Sequence, residues 1–521
     1  MPIRIEPDDP QSGRRSSQNS NSGGSSGMGG ALLKFLPFIL MFVFKRPKLL
    51  IPILIIGGIW YFFFGGQEMF SGEESSASHP EFSLGAALSE TEYDKAEVFE
   101  PLAYGSFNQL PARVSLEQYA PSRRHQGQQG SCVGWASAYA ARTILQSKAT
   151  GQSPNSVAFS PAFLYNQIAL DGCQGAYMLE AMKTMYQEGA LPFNQFSYDD
   201  RSCSKSPDGS QLRAAQQYKI KGYNRLSETG EPSSPPDVQA IRQNLAQGAP
   251  VVIGMMVGGT FMSRMVGQNL WRPTQSDYSM RGFSGHAMCV IGYDDNMEGG
   301  AFQLMNSWGE DWGNRGMAWV RYADFERFTK EAYGLYPMGS ANQQAVDQNK
   351  LAVEFGLLDV ASQKTIALRQ AGDLLFKTAQ PIRKGDKFKI LLANTVECYT
   401  YVFGQETDGS SYVLFPYTEK HSPYCGITGT RLFPKDESLK ADDIGNSDFM
   451  AIVISKTALD APRFNQRINS SRQRTYAEKL KEALADQRVT SVAFQADKTI
   501  AFKADTKGKN AVGMVLQIDK Q

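Results

Sequence analysis

At 521 residues the chain is longer than one hydrophobic core can organise, so two or three domains with tails are expected. Its 53 basic and 52 acidic residues leave a formal charge of +1, which supplies no field for nucleic acid or an acidic polymer and sets nucleic-acid binding aside. Six cysteines in this length exclude a disulfide-dense scaffold but leave room for one or two bridges beside a reactive thiol.

Residues 1–30 are polar and rich in Ser and Gly, with little to bury, and read as a disordered tail. Residues 31–66 form the membrane segment. Within it Leu49 to Gly66 is uncharged and apolar, close to the roughly 20 residues a helix needs to cross the hydrocarbon core. Arg4, Arg14, Arg15, Lys34, Lys45, Arg46 and Lys48 precede this stretch, whereas Glu68, Glu73 and Glu74 follow it. The positive-inside bias therefore predicts a single-pass anchor in the cell membrane, N-terminus cytoplasmic and the remainder extracytoplasmic, periplasmic in a Gram-negative envelope. Ala31 to Phe44 is shorter and interrupted by Lys34 and Pro37; it either lies in the interface or makes a second crossing that would invert this topology. Residues 67–110 read as a stalk that becomes ordered near Phe107.

From 111 to 338 helical patterns come first, at Val133 to Gln146, Tyr177 to Glu188 and Pro236 to Gln247. Strand-like runs follow at Val251 to Val257, His286 to Tyr293, Ala301 to Asn306 and Met317 to Tyr322. Helices before strands in one unit predict an α+β fold in two lobes. Residues 350–521 change to short β-rich runs: Leu351 to Leu358, Leu374 to Thr378, Phe388 to Leu392, Cys398 to Phe403, Tyr412 to Phe415 and Phe449 to Ser455. Turn signals separate them, one helical segment runs from Tyr476 to Asp486, and Val512 to Ile518 can supply a closing strand.

The segment Gln126-Gly-Gln-Gln-Gly-Ser-Cys132 places a cysteine at the start of a helix, where unpaired N–H groups and the positive end of the macrodipole favour a thiolate. Gln126 offers an amide donor that can join the Cys132 N–H in an oxyanion hole. Hydrolysis also needs a group that protonates the leaving amine and later activates water. Of the four histidines, His79 lies in the stalk, His421 in the β-rich region and His125 in the turn before Gln126. His286 begins an apolar strand, which can hold its ring rigidly. Asn306 ends a strand and can accept a hydrogen bond from the far imidazole nitrogen, with Trp308 shielding that bond from water.

Together these segments resemble the papain-like cysteine peptidases, most specifically in the run Asn306-Ser-Trp-Gly-x-x-Trp-Gly-x-x-Gly316 and in the order Cys, His, Asn. The likeness covers roughly residues 110–338. It implies Cys132 as nucleophile, His286 as base and Asn306 as its orienting partner, with Gln126 in the oxyanion hole. Cys173-Gln-Gly-Ala-Tyr177 looks like the family's Cys-Asn-Gly-Gly segment; on that likeness the backbone at Gly175 and Ala176 would bind an extended peptide, and Tyr177 and Met178 would wall the pocket for the second residue before the cleaved bond. The family bridges the regions of Cys173 and Cys203, so those two are candidates to pair. Cys398 and Cys425 are candidates for a second bridge, whose connectivity does not follow from sequence. Cys289, on an apolar strand, reads as a core residue.

The chain departs from the family pattern at three positions. Gln129 stands where a disulfide cysteine is usual, Val133 replaces the Trp after the nucleophile, and Gly285 stands where an acidic residue often precedes the histidine. Residues 67–110 show no match to the family's inhibitory pro-segment, and no zymogen is assumed. The β-rich region resembles an uncharacterised module of bacterial peptidases and envelope proteins, on the run Leu414-Phe-Pro416 and the strand ending near Ser455, and implies an accessory domain that binds an envelope partner. The expected activity is peptide-bond hydrolysis through a thioester, acting on a peptide or protein with no cofactor and no metal. The alternative is an inactive scaffold that serves as an envelope binding or assembly protein.

Overall fold

The computed structural model describes residues 3–7, 82–98, 100–227, 233–338 and 349–521. The proposed membrane segment and residues 67–81 of the expected stalk lie outside them. Among the described residues no helix is long and apolar enough to cross a membrane.

Residues 111–338 are built as two lobes. One centres on a continuous helix beginning at Cys132, α-helical at Cys132–Gly134 and Thr143–Thr150 and wound as π-helix over Trp135–Arg142. Its small residues allow close packing: a Cβ on Gly134 would lie 2.7 Å from the Pro161 carbonyl of the neighbouring helix Pro161–Ile168. The other lobe is an eight-stranded sheet in the order Tyr223–Arg225, Thr329–Leu335, Val251–Val257, Ser284–Asp294, Ala301–Met305, Met317–Arg321 and Leu270–Trp271, with Arg113–Ser115 paired to Ser284–Asp294. The central strands are apolar at nearly every position because the sheet is buried on both faces.

Residues 350–521 form two sheets packed face to face. One carries Lys350–Asp359 and Lys387–Asn394 at its centre, the other Cys398–Gln405, Ser447–Ser455 and Ala511–Asp519. Alternation decides which side each residue takes. Met450, Ile452 and Ile454 enter the core between the sheets, while Ala451 and Val453 face the opposite way beneath the helices Ala461–Ser470 and Tyr476–Leu484.

Two expectations fail here. Residues 3–7 are not a disordered tail: Ile3–Pro7 is an edge strand antiparallel to Glu437–Ala441, with Ile3 1% exposed in the sandwich core. Apolar Ile3 and Ile5 on one face and Glu6 bonded to Lys440 on the other give this short segment its strand pattern. The expected stalk is likewise folded from Phe82 onward, because Phe82, Leu84, Ala86 and Leu88 alternate as a strand does and find a cleft to occupy.

Candidate active site

The helix start and the sheet edge bring Cys132, His286 and Asn306 together between the lobes. All three are buried, with exposures of 0%, 0% and 3%. His286 Nε2 lies 2.7 Å from Asn306 Oδ1, while Nδ1 has no hydrogen-bond partner. Trp308 stacks on the imidazole at 4.4 Å between centroids and covers that bond. The Cys132 Sγ accepts from the Ala287 N–H at 3.4 Å, which ties the nucleophile to the strand bearing the histidine.

Gln126 is fully buried and held from both ends. Its Oε1 accepts from Ser307 Oγ at 2.6 Å, its Nε2 donates to the Gln129 carbonyl at 2.9 Å, and its backbone N–H donates to the Ser307 carbonyl at 2.8 Å. One amide hydrogen remains for a second acceptor. Ser307, which fixes this orientation, was missed from sequence although it adjoins Asn306.

The departures from the family pattern now have surroundings. Gln129 Nε2 reaches the Asp199 carbonyl at 3.4 Å. Beside Val133, the bulk comes from Trp135, packed edge-on against Tyr139 and Tyr198 at 4.8 and 5.0 Å. Cys173 and Cys203 are joined as a disulfide. Cys398 and Cys425 face each other in register on neighbouring strands but stand as buried thiols, so no second bridge is formed. Cys289 is buried in its strand, as a core residue would be.

The cleft is occupied by the chain itself. Ala176, placed beside Gly175 ahead of the helix Met178–Gln187, donates its N–H to the Gly85 carbonyl at 2.9 Å and accepts from Ala87 at 3.0 Å, a parallel pairing. The Gly285 carbonyl accepts from Gly85 and Ala86 at 3.3 and 3.1 Å. Phe82 stacks on Trp308 at 4.6 Å, and the Trp308 indole donates to the Ser83 carbonyl at 3.1 Å. Leu88 lies against Met178, Gly254 and Gly285. This fit depends on bare backbone: a Cβ on Gly85 would lie 2.1 Å from the Gly130 carbonyl, and one on Gly285 would lie 2.2 Å from the Ala86 carbonyl. Tyr177, half-buried, stands at the N-cap position of that helix.

Occupancy sets the electrostatics. Burial pushes the Cys132 thiol up to about 12, outweighing the N–H groups of Ala287, Val133, Cys132 and Gly85 that pull the other way. Burial also lowers His286 to about 4, with the Asn306 bond opposing it. At neutral pH this state therefore holds a thiol beside a neutral imidazole. The thiolate expected from the helix N-terminus is not favoured while the cleft is covered.

A buried cysteine at a helix start is thus tied to the strand whose histidine bonds an asparagine. Residues 110–337 match the papain family cysteine protease model, so the chain carries a peptidase domain of that kind over under half its length. A cysteine protease of Blomia tropicalis is 29% identical over 266 residues, covering 49% of this chain and 75% of the relative. Cathepsin K of Mus musculus is 28% identical over 229 residues, covering 43% of this chain and 61% of the relative. Among solved structures, xylellain, a cysteine protease from Xylella fastidiosa, is 23% identical with a TM-score of 0.40, covering 50% of this chain and 96% of the other.

Proposed function

We propose that the chain hydrolyses peptide bonds by acyl transfer, with Cys132 as nucleophile, His286 as acid and base, and Asn306 as the positioning partner of the imidazole. The observation that carries this reading is His286 held by Asn306 through Nε2, leaving Nδ1 unpaired on the strand tied to the Cys132 sulfur. The proton passes from thiol to imidazole as the sulfur attacks the carbonyl, and then from imidazolium to the leaving amine. Water hydrolyses the thioester in the reverse sense. The Cys132 N–H and the spare Gln126 hydrogen face the developing oxyanion. Gly175 and Ala176 offer backbone to an extended substrate, as the pairing of Ala176 with Gly85 and Ala87 illustrates. An epoxide-type thiol reagent should modify the Gly85→Val variant, in which the cleft cannot be covered, and adding Cys132→Ala but not Cys289→Ala to that variant should abolish labelling. Labelling that survives Cys132→Ala would sink the assignment and favour the inactive scaffold.

Membrane attachment through residues 31–66 is part of the same proposal, in altered form. The pairing of Ile3–Pro7 with Glu437–Ala441 favours a topology with the chain's first residues and the C-terminal region on one side of the membrane. A single crossing would separate them. We infer that the two apolar runs enter and leave from the same face, with Lys45, Arg46 and Lys48 at the cytoplasmic turn. The Cys173–Cys203 disulfide supports an extracytoplasmic peptidase. Single cysteines introduced at positions 20 and 75 should both react with an impermeant maleimide in intact cells; reaction at only one would restore the single crossing.

A further inference from the structure

Cys398 and Cys425 stand opposite each other in the ladder between Cys398–Gln405 and the two-residue strand Tyr424–Cys425. Both side chains turn into the core between the sheets, with exposures of 1% and 3%. The Thr400 N–H donates to the Pro423 carbonyl at 2.9 Å, so two residues along the same register Cys398 and Cys425 are also a hydrogen-bonded pair. The Cα atoms of such pairs stand about 5.5 Å apart, inside the roughly 4.4–6.8 Å that a disulfide spans. Their Cβ atoms, about 5.5 Å apart against the roughly 3.5–4.5 Å of a bridge, must close by about 1 Å. The two-residue strand is the partner that gives.

The opposite face of the same ladder carries contacts between the sandwich and the peptidase. Glu397, next to Cys398, pairs with Lys221 of the peptidase and accepts from the Tyr424 hydroxyl at 2.7 Å. Tyr424, next to Cys425, packs edge-on against Tyr336 at 4.6 Å. Earlier in the segment Lys420 pairs with Asp94, and the Ser422 N–H donates to the Val98 carbonyl at 3.1 Å. Beyond the cysteine, Thr428 Oγ1 donates to Gln247 Oε1 at 3.0 Å, and Gln247 Nε2 donates to the Thr428 carbonyl at 3.0 Å. Residues 416–428 thus dock the sandwich on the peptidase, and Cys425 is where they join the sheet. Hydrogen bonding from Cys398 holds the Cys425 thiol below its usual value, with Arg431 and Thr400 adding to it against the pull of burial. Cys425 is therefore the sulfur that ionises first.

We propose that Cys398 and Cys425 are a redox-modification site, closed into a cross-strand bond by a small disulfide oxidant and reopened by a dithiol, and that the bond pins residues 416–428 against the peptidase. The Cys425 thiolate attacks one sulfur of the oxidant RS–SR, giving a mixed disulfide and RS⁻, which takes up the proton that Cys425 lost. Cys398 then loses its own proton and attacks the Cys425 sulfur, expelling the second RS⁻, which is protonated in turn. Two protein thiols become one disulfide, and one external disulfide becomes two RSH. Because both sulfurs are buried, exchange passes through opening of the two-residue strand, and the finished bond opposes that same opening. A bridge that draws its strand inward is strained, and strained bridges are the reducible ones, so the step is reversible. The Cys173–Cys203 disulfide of the same chain fits a compartment that supplies such an oxidant. The bond forms whether or not Cys132 is a nucleophile.

The test uses the full chain in glutathione buffers stepped from reducing to oxidising, quenched in acid, alkylated after unfolding and mapped as unreduced peptides. Oxidising buffers should yield a peptide pair joined through Cys398 and Cys425 while Cys289 stays a free thiol, and dithiothreitol should reverse the joining. Hydrogen exchange across residues 416–428 should slow by about tenfold or more in the oxidised chain, since closing a loop restrains its opening. These readouts are taken on the wild type and do not depend on any variant folding. In Cys398→Ala the mixed disulfide cannot resolve, so glutathione should remain on Cys425. Absence of the joined peptides at every buffer ratio would overturn the site. A joined pair with unchanged exchange across 416–428 would overturn the tether. Glutathione held on Cys398 in Cys425→Ala, with none on Cys425 in Cys398→Ala, would overturn the order of attack.

Discussion

The start of the central helix and the middle of the strand Ser284–Asp294 each bury a cysteine to 0% exposure, and the two sites are otherwise unlike. At Cys289 burial is the whole cause of a raised thiol pKa, and the sulfur makes a single long contact, to the Val290 carbonyl at 3.9 Å. At Cys132 the same desolvation is opposed by backbone N–H groups around the sulfur, that of Ala287 first, which bonds the sulfur at 3.4 Å. Exposure alone would rank the two thiols as equals. What separates them is the set of donors that would stabilise a negative charge once water reaches the cleft.

Substitutions at the two sites should break apart by orders of magnitude. Removing the nucleophile has the largest effect: Cys132→Ala should abolish peptide hydrolysis. His286→Ala should lower kcat/KM by roughly 10²–10⁴, the range of a positioned acid–base group. Asn306→Ala lets the ring turn without removing it, so steady-state kinetics should show a loss of up to about 10²-fold. These three rates are best measured in the Gly85→Val background, where access is not limiting.

Acid stability sharpens the same contrast. His286 is held near 4 by burial against a usual value of 6.5, so the folded state binds fewer protons than the unfolded chain between those pH values. Its contribution is complete above pH 6.5 and is lost as pH falls toward 4, a change on the order of 3 kcal/mol that urea melts across this window should show. His286→Gln should flatten that slope. At the other extreme, Cys289→Ala should leave hydrolysis unchanged and cost within about 1 kcal/mol of stability, read from denaturant midpoints.

Long buried strands were legible because burial on both faces writes them as unbroken apolar runs; Val251 to Val257 matches the observed strand at both ends. Cys132, His286 and Asn306 were legible because a small-residue helix start, a strand-leading histidine and a Trp- and Gly-rich turn each carry a local pattern. The segment 82–88 over the cleft was not. Phe82, Leu84, Ala86 and Leu88 alternate correctly, but Gly, Ser and Ala between them look like linker, and the groove they fill is made by residues far away in sequence. The helix Pro161–Ile168 was also passed over, although Ser160 caps it and Pro161 opens it. The strand Ile3–Pro7 was hidden by its polar surroundings, since its partner Glu437–Ala441 lies at the other end of the chain.

The central claim is a cysteine peptidase with Cys132 as nucleophile, its sulfur buried in this state beneath residues 82–88. The most direct test is the pH dependence of Cys132 alkylation in the wild type and in Gly85→Val. The account predicts that the wild type reacts only at strongly alkaline pH, and that uncovering the cleft moves the onset of reaction to markedly lower pH and raises the rate at neutrality. Identical profiles in the two proteins would contradict it.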